Sequence, residues 1–257
     1  MSDLAGKFGL IVGVANKRSI SWAIAQAAAA AGARLALTYP SARLEENVRD
    51  LAATLDDPLV LPCDVSSDAH IDALTASLDG AFGGLDFMVH GAAFAPAADL
   101  DNPFLQTSRD GFRIALDVSA YSLIGLSRAV APLMDKRGGG SILTLTYLGS
   151  QRVFTNYNVM GVAKAALEAS VRYLASDLGA RNIRVNAISA GPMRTLASAG
   201  ISHFSDILHV YRERAPLKRN VDLAEVGEAA TFLLGPASRG ITGEILFVDA
   251  GFHAIGA

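Results

Sequence analysis

Cysteine is almost absent: the 257 residues contain one, Cys63. A lone cysteine closes no internal disulfide, and Cys63 lacks the neighbouring Cys/His spacing of a metal site, so no metal is expected and a reducing compartment fits. The thiol is read as a buried structural group. Excess charge is missing as well. A net charge of -3, with 18% charged residues, gives no global attraction to nucleic acid or to an anionic membrane, and neither is expected as a partner. No basic region leads into a long apolar segment at the N-terminus, and the most apolar helical stretch, 23–33, is mostly alanine and too short to cross a bilayer. A cytoplasmic location is the expectation. Repeats, low-complexity tracts and linkers are also missing, so a single domain over 1–257 is expected, with 51% hydrophobic residues to fill its core.

What is present is an alternation of short β-rich apolar runs with longer helical patterns. Strands are expected at 8–14, 34–39, 59–63, 85–91, 141–148, 184–189 and 244–248. Helices are expected at 20–31, 41–55, 67–82, 109–135, 155–179 and 222–235. Such alternation specifies an α/β fold: a doubly wound, seven-stranded parallel sheet with helices on both faces. Gly32 stands where a helix should end, and Gly138 to Gly140 break the chain before the fifth strand. The stretch after the sixth strand, with Gly191, Pro192 and Pro216, has weak periodicity. Its readings are a lid over a site, at about 192–219, or an ordinary surface excursion.

The first strand runs straight into Gly13-Val-Ala15-Asn-Lys-Arg-Ser19-Ile20, after which a helix begins. Small residues therefore lie where the phosphates of a dinucleotide would meet a helix N-terminus, and Ser19 offers a hydroxyl. The pattern is not G-x-G-x-x-G; its weight comes from its place after the first strand of a Rossmann-type order. After the second strand the usual acidic ribose ligand is missing, and Thr38-Tyr39-Pro40-Ser41 stands instead. Arg43 is either a solvated side chain or a partner for a 2′-phosphate. In Cys63-Asp64-Val65, Asp64 reads as a partner of an adenine amino group or as a turn and cap aspartate.

Tyr157 and Lys164 are seven residues apart in a helical pattern, nearly two turns along one face, so both can lean over one ligand. An ammonium at Lys164 would favour phenolate character on Tyr157 and bind ribose hydroxyls, while Tyr157 polarises or protonates a substrate oxygen. The pair follows the fifth strand, and the Gly191-Pro192 turn, able to meet a nicotinamide carboxamide, follows the sixth. Tyr147 ends the fifth strand and projects a second phenol from the same edge.

With these motifs the chain resembles the short-chain dehydrogenase/reductase superfamily, and within it the divergent, FabI-type bacterial enoyl-acyl-carrier-protein reductases. The resemblance runs along essentially the whole chain. It is carried by Gly13-Val-Ala15 with Ser19-Ile20, Cys63-Asp64-Val65, Phe94-Ala95-Pro96, Tyr147-Leu-Gly149, Tyr157-Asn-Val-Met160-Gly161 with Lys164, and Ala187-Ile-Ser-Ala-Gly191-Pro192 with Arg194-Thr195-Leu196. It implies reduction of trans-2-enoyl thioesters by hydride from NADH, with Tyr157, Lys164 and Tyr147 as catalytic residues. Cofactor contacts are implied at Gly13, Ala15, Ser19, Ile20, Asp64, Val65, Gly91, Lys164, Gly191, Met193 and Thr195. Acyl contacts are implied at Phe94, Ala95, Tyr147, Tyr157, Met160 and Phe204. Acyl carrier protein as substrate carrier and a homotetramer are implied as well.

The chain departs from that pattern in three places. Gly91-Ala92-Ala93 stands where Ser-Ile-Gly is common, adding the Ala93 methyl near the cofactor. Pro40 replaces a glutamine at the adenosine ribose, so NADPH stands beside NADH. The helix after the substrate loop begins without lysine or arginine, and Arg212, Arg214, Lys218 and Arg219 are either a substitute surface for an acidic carrier or a solvated face. Two other functions compete. A short-chain carbonyl or alcohol dehydrogenase would use the same pair but usually carries a serine where Thr144 stands; a non-catalytic dinucleotide sensor would not require Tyr157 and Lys164 together.

Overall fold

The computed structural model describes residues 4–195 and 204–256. Strand β1 (Phe8–Val12) is apolar because helices cover it on both sides, and Leu10, Ile11 and Val12 are buried. Around it lie β2 (Arg34–Tyr39), β3 (Leu59–Pro62), β4 (Phe87–His90), β5 (Gly140–Thr146), β6 (Ile183–Ala190) and β7 (Ile245–Val248). Every pairing is parallel and the order is β3-β2-β1-β4-β5-β6-β7. The doubly wound α/β expectation therefore holds, with seven strands in one sheet. Connections leave β1 toward β2 and leave β4 toward β5 in opposite directions, opening a crevice at their carboxyl ends, the usual seat of a ligand in such sheets.

The helices are α1 (Ile20–Ala30), α2 (Ala42–Ala52), α3 (Asp68–Phe82), α4 (Ala97–Asp101), α5 (Arg109–Leu116), α6 (Ser122–Asp135), α7 (Asn158–Leu178), α8 (Phe204–Arg214) and α9 (Leu223–Leu234). One core, around Ile24, Leu35, Leu37, Val48, Phe87 and Val226, joins α1, α2 and α9 to the sheet. The other, around Leu74, Met88, Leu123, Leu126, Ile142 and Leu167, joins α3, α6 and α7. The alanine row of α1 serves close packing between helices as well as against the sheet. A Cβ at Gly227 of α9 would lie 3.0 Å from the Ala23 carbonyl and 3.1 Å from the Ala27 methyl.

Strand ends are shorter than expected at 12 and 90, where Gly13 and Gly91 turn the chain out of the sheet. The helix expected at 109–135 is interrupted by a π turn, Asp117–Tyr121, between α5 and α6. One extra residue in the hydrogen-bond ladder is invisible to a period count. Taken together 109–135 is the one helical stretch, among the described residues, long and apolar enough to cross a membrane by length and composition, and 56% of its apolar window is buried inside this fold. The weakly periodic region contains α8, which begins at Phe204; 196–203 lie outside the described residues.

Candidate active site

The carboxyl edge of the sheet gathers most of the residues singled out in the sequence. At the end of β1, Gly13 takes φ +93, and a Cβ there would stand 2.5 Å from the Gly91 carbonyl oxygen. Two main chains thus cross in near contact at the switch point, a spacing only glycine allows. Ser19 caps the start of α1, but its Oγ acts as an acceptor, taking the amides of Ala15 at 3.1 Å and Asn16 at 3.0 Å. That closes the Gly13–Ser19 turn and leaves the hydroxyl proton, with the first amides of α1, for an anion. The cradle fits a dinucleotide pyrophosphate; Ile20 opens α1 beside it.

Asp64 spends its carboxylate locally: Oδ1 accepts from the Ser66 amide at 3.0 Å and the Ser66 hydroxyl at 2.7 Å. Its turn reading holds in this structure, and Val65 beside it is buried. Cys63 is buried too, and burial with the nearby Asp64 charge pushes its thiol up to about 11, an inert structural group. Arg43 is exposed on the first turn of α2. Gly191 and Met193 are buried after β6, and Thr195 is half-buried in the same loop.

Tyr147 leaves the end of β5, and Tyr157 stands just before α7. Asn156 and Asn158 flank Tyr157 with φ of +63 and +36, left-handed values that asparagine tolerates better than other side chains. Asn158 Nδ2 donates to the carbonyls of Leu100 and Asn102, both at 2.7 Å, and fixes that turn. The Tyr147 and Tyr157 rings meet edge to face with centroids 5.0 Å apart. A Cβ at Gly149 would overlap the Tyr157 ring, and one at Gly161 would stand 2.7 Å from the Gly149 carbonyl, so both glycines make room for the two phenols. Ala95 and Met160 are buried in a small cluster with Val159 and Ala163 against which Tyr157 packs, while Phe94 is exposed at the rim.

Lys164 lies buried on α7. Its Nζ donates to the Leu145 carbonyl at 2.7 Å, turned under β5. Burial lowers the ammonium to about 8, opposed by the Glu168 charge one turn further along α7. Tyr157 is pushed up, first by burial and then by Tyr147 and Glu168, so its phenol keeps its proton. Burial thus favours the neutral phenol over the expected phenolate character, and a neutral Tyr157 can donate a hydrogen bond.

Sequence reasoning missed four supports. Glu168 Oε1 accepts the hydroxyls of Thr146 at 2.7 Å and Ser150 at 2.6 Å, bracing the β5 turn; its spacing of four from Lys164 was the available signal. His90, fully buried at the end of β4, lies 2.8 Å from Thr144 Oγ1 and 2.7 Å from Ser122 Oγ. Ser119, on the π turn, accepts the Phe94 amide at 3.0 Å and donates to the Phe94 carbonyl at 3.2 Å. Tyr211, on α8, reaches Tyr147. Nothing in the sequence pattern marks the last three. No cluster of metal-ligating side chains occurs among the described residues.

Comparisons with known proteins bear on the family and the fold. The family model described as Enoyl-(Acyl carrier protein) reductase matches residues 13–253. The chain is 54% identical over 253 residues to the enoyl-[acyl-carrier-protein] reductase [NADH] FabI of Bacillus subtilis, covering 98% of this chain and 97% of that one. It is 51% identical to the Bacillus cereus counterpart over the full length of both. Among solved structures, the Bacillus cereus enoyl-acyl carrier protein reductase with NADP+ and indole naphthyridinone superposes with a TM-score of 0.97 at 51% identity, covering 100% of both chains. The Anaplasma phagocytophilum enzyme in complex with NAD gives 0.95 at 48% identity, covering 100% of this chain and 98% of that one. The family match spans Gly13 to His253, and the chain belongs to the enoyl-acyl-carrier-protein reductases.

Proposed function

We propose that the chain reduces the C2–C3 double bond of trans-2-enoyl thioesters carried by acyl carrier protein, in fatty acid synthesis. The observation that carries this reading is the pair of phenols, Tyr147 and Tyr157, edge to face at 5.0 Å on the carboxyl edge of the sheet. Gly13, Ala15, Ser19, Ile20, Val65, Gly91, Lys164, Gly191, Met193 and Thr195 would hold NADH, with Asp64 shaping the turn beside the adenine. When bound, the nicotinamide supplies hydride to the β-carbon of the enoyl group.

Tyr157 donates its O–H to the thioester carbonyl oxygen, where negative charge collects as the double bond is reduced. Burial keeps the phenol protonated, so the donor is in place at neutral pH. A donor that meets charge only as it develops lowers the barrier more than it tightens the ground state. The α-carbon then takes a proton, so one hydride and one proton have added across the bond and the product is the saturated thioester. Lys164, with one N–H on Leu145, offers its others to the nicotinamide ribose. Phe94, Ala95, Met160 and Phe204 bound the acyl site, and 192–219 act as the substrate-binding segment of the one domain.

Ketone reduction is the weaker reading because Thr144, where a catalytic serine would stand, is fully buried and donates to the His90 carbonyl at 3.1 Å. A non-catalytic sensor would have no use for two phenols at the rim. For the carrier, Arg212 and Arg214 are exposed on α8, whereas Arg219 is paired with Glu225 at 2.6 Å and adds little field. Exposed Phe112, Tyr121, Val162 and Tyr173 on α5, the π turn and α7 support self-association as a homotetramer. A cytoplasmic location accords with the lone buried thiol. Oxidation of NADH and NADPH is followed with an enoyl-CoA, the enoyl carrier-protein thioester and a 3-ketoacyl thioester. Turnover of the enoyl substrates is expected; turnover of the ketone alone sinks the reading, and cofactor binding without turnover supports the sensor.

A further inference from the structure

Tyr211 is buried to 1% exposure, and its ring lies flat on Phe252, with centroids 3.7 Å apart and planes within 15°. Phe252 is held by its own frame. The Asp249 carboxylate accepts the amides of Gly251 at 2.9 Å and His253 at 2.8 Å. Arg152, in the segment between Tyr147 and Tyr157, donates to the carbonyls of His253 and Ile255, both at 2.7 Å. The C-terminal turn therefore anchors Tyr211 from one side and the Tyr147–Tyr157 segment from the other.

Between these anchored groups the Tyr211 hydroxyl donates to the Tyr147 hydroxyl at 3.4 Å. An aliphatic side chain would fill the space under Phe252 at less cost, since a buried hydroxyl is unfavourable unless it meets a partner. Tyr147 is caged by rings, Phe154 and Tyr157 each at 5.0 Å and Tyr211 at 6.5 Å. Rings fix the plane of a phenol but do not orient its O–H; a polar contact does. The contact between the two hydroxyls therefore restricts the Tyr147 O–H rotor at the edge of the acyl site.

We infer that Tyr211 is a positioning residue for Tyr147, orienting its hydroxyl and tying that orientation to the seating of α8 on the C-terminal turn. The inference rests on reading Tyr147 as part of the enoyl site. A cavity of 340 Å³ bounded by Phe154, Ile207, Val210 and Tyr211 opens beside this contact, so an acyl chain entering it presses on the helix that holds the hydroxyl.

The test is a double-mutant cycle on the full chain with Tyr211→Phe, Tyr147→Phe and the pair. Phenylalanine keeps the stack on Phe252 and removes only the hydroxyl. Tyr211→Phe is expected to lower kcat for the enoyl thioester about three- to tenfold, with the KM for NADH unchanged, and to cost less than about twofold once Tyr147 is already phenylalanine. The second measurement needs no turnover: in chain labelled with 13C at the tyrosine ζ carbon, the Tyr147 resonance, assigned by its loss in Tyr147→Phe, shifts in Tyr211→Phe. Wild-type chain without enoyl turnover sinks the functional reading while the resonance still decides the contact. Additive losses in the cycle, or an unmoved Tyr147 resonance, overturn the proposal.

Discussion

Lys164 Nζ donates to the main-chain carbonyl of Leu145 across 2.7 Å, so the ammonium of α7 is turned under the sheet and not out to the Tyr157 hydroxyl. In the proposed site the two residues act on different partners, Lys164 on the cofactor side and Tyr157 on the substrate oxygen.

Their substitutions should separate accordingly. Tyr157→Phe is expected to lower kcat by about a hundred- to a thousandfold, the usual loss for one donor to a developing oxyanion, with the NADH Kd within about twofold. Lys164→Ala should raise the NADH Kd by about tenfold or more and lower kcat at saturating cofactor much less. Fluorescence titration and steady-state rates check both; equal effects of the two variants on Kd would remove the division of labour.

His90 predicts a pH dependence of stability. Its ring is fully buried, and desolvation, helped by the Lys164 charge, lowers it from 6.5 to about 3. Both ring nitrogens are enclosed, 2.8 Å from Thr144 Oγ1 and 2.7 Å from Ser122 Oγ, while those two hydroxyls donate to the His90 and Val118 carbonyls. Below pH 6.5 the unfolded chain therefore binds a proton that the folded chain refuses. Stability from this group is complete above pH 6.5 and falls as pH drops toward about 3, by about 3 kcal/mol on reaching about pH 4. Urea unfolding of the wild type and His90→Asn from about pH 7 to about pH 4 checks this: the variant starts less stable and has the shallower slope. Parallel slopes would show that His90 takes its proton in the folded state.

Ser119 predicts a loss at a distance from the phenols. Removing its hydroxyl leaves the Phe94 amide and carbonyl without the partner seen at 3.0 and 3.2 Å, in the loop that follows Gly91. Ser119→Ala should destabilise the fold by about 1–3 kcal/mol and raise the NADH Kd several-fold, while Ser119→Thr keeps the hydroxyl and recovers part of both. Thermal unfolding and cofactor titration decide it; an unchanged Kd with a lowered Tm would confine Ser119 to stability.

Much of this was legible in the sequence because the sheet is buried on both faces. A strand such as 34–39 is largely apolar and bounded by turn residues, and its limits were read to the residue. Gly13, Tyr147, Tyr157 and Lys164 were legible through their places after strands. The π turn was not, since one inserted residue leaves the apolar rows of 109–135 almost intact. His90 and Tyr211 were hidden for another reason. Each matters through a partner far along the chain, Thr144 and Tyr147, and no local spacing encodes such a contact. The contact of Lys164 with Leu145 was not legible, because its partner is a main-chain carbonyl, which every residue offers.

The most direct test follows the hydrogen. The purified chain is supplied with NADH deuterated at the transferred position and a trans-2-enoyl thioester, and the product is examined by mass spectrometry and NMR. The account predicts a saturated acyl thioester with one deuterium at the β-carbon and, in ordinary water, none at the α-carbon. An intact double bond beside oxidised cofactor, or deuterium found only on the carbinol carbon when a 3-ketoacyl thioester is offered in its place, would contradict it.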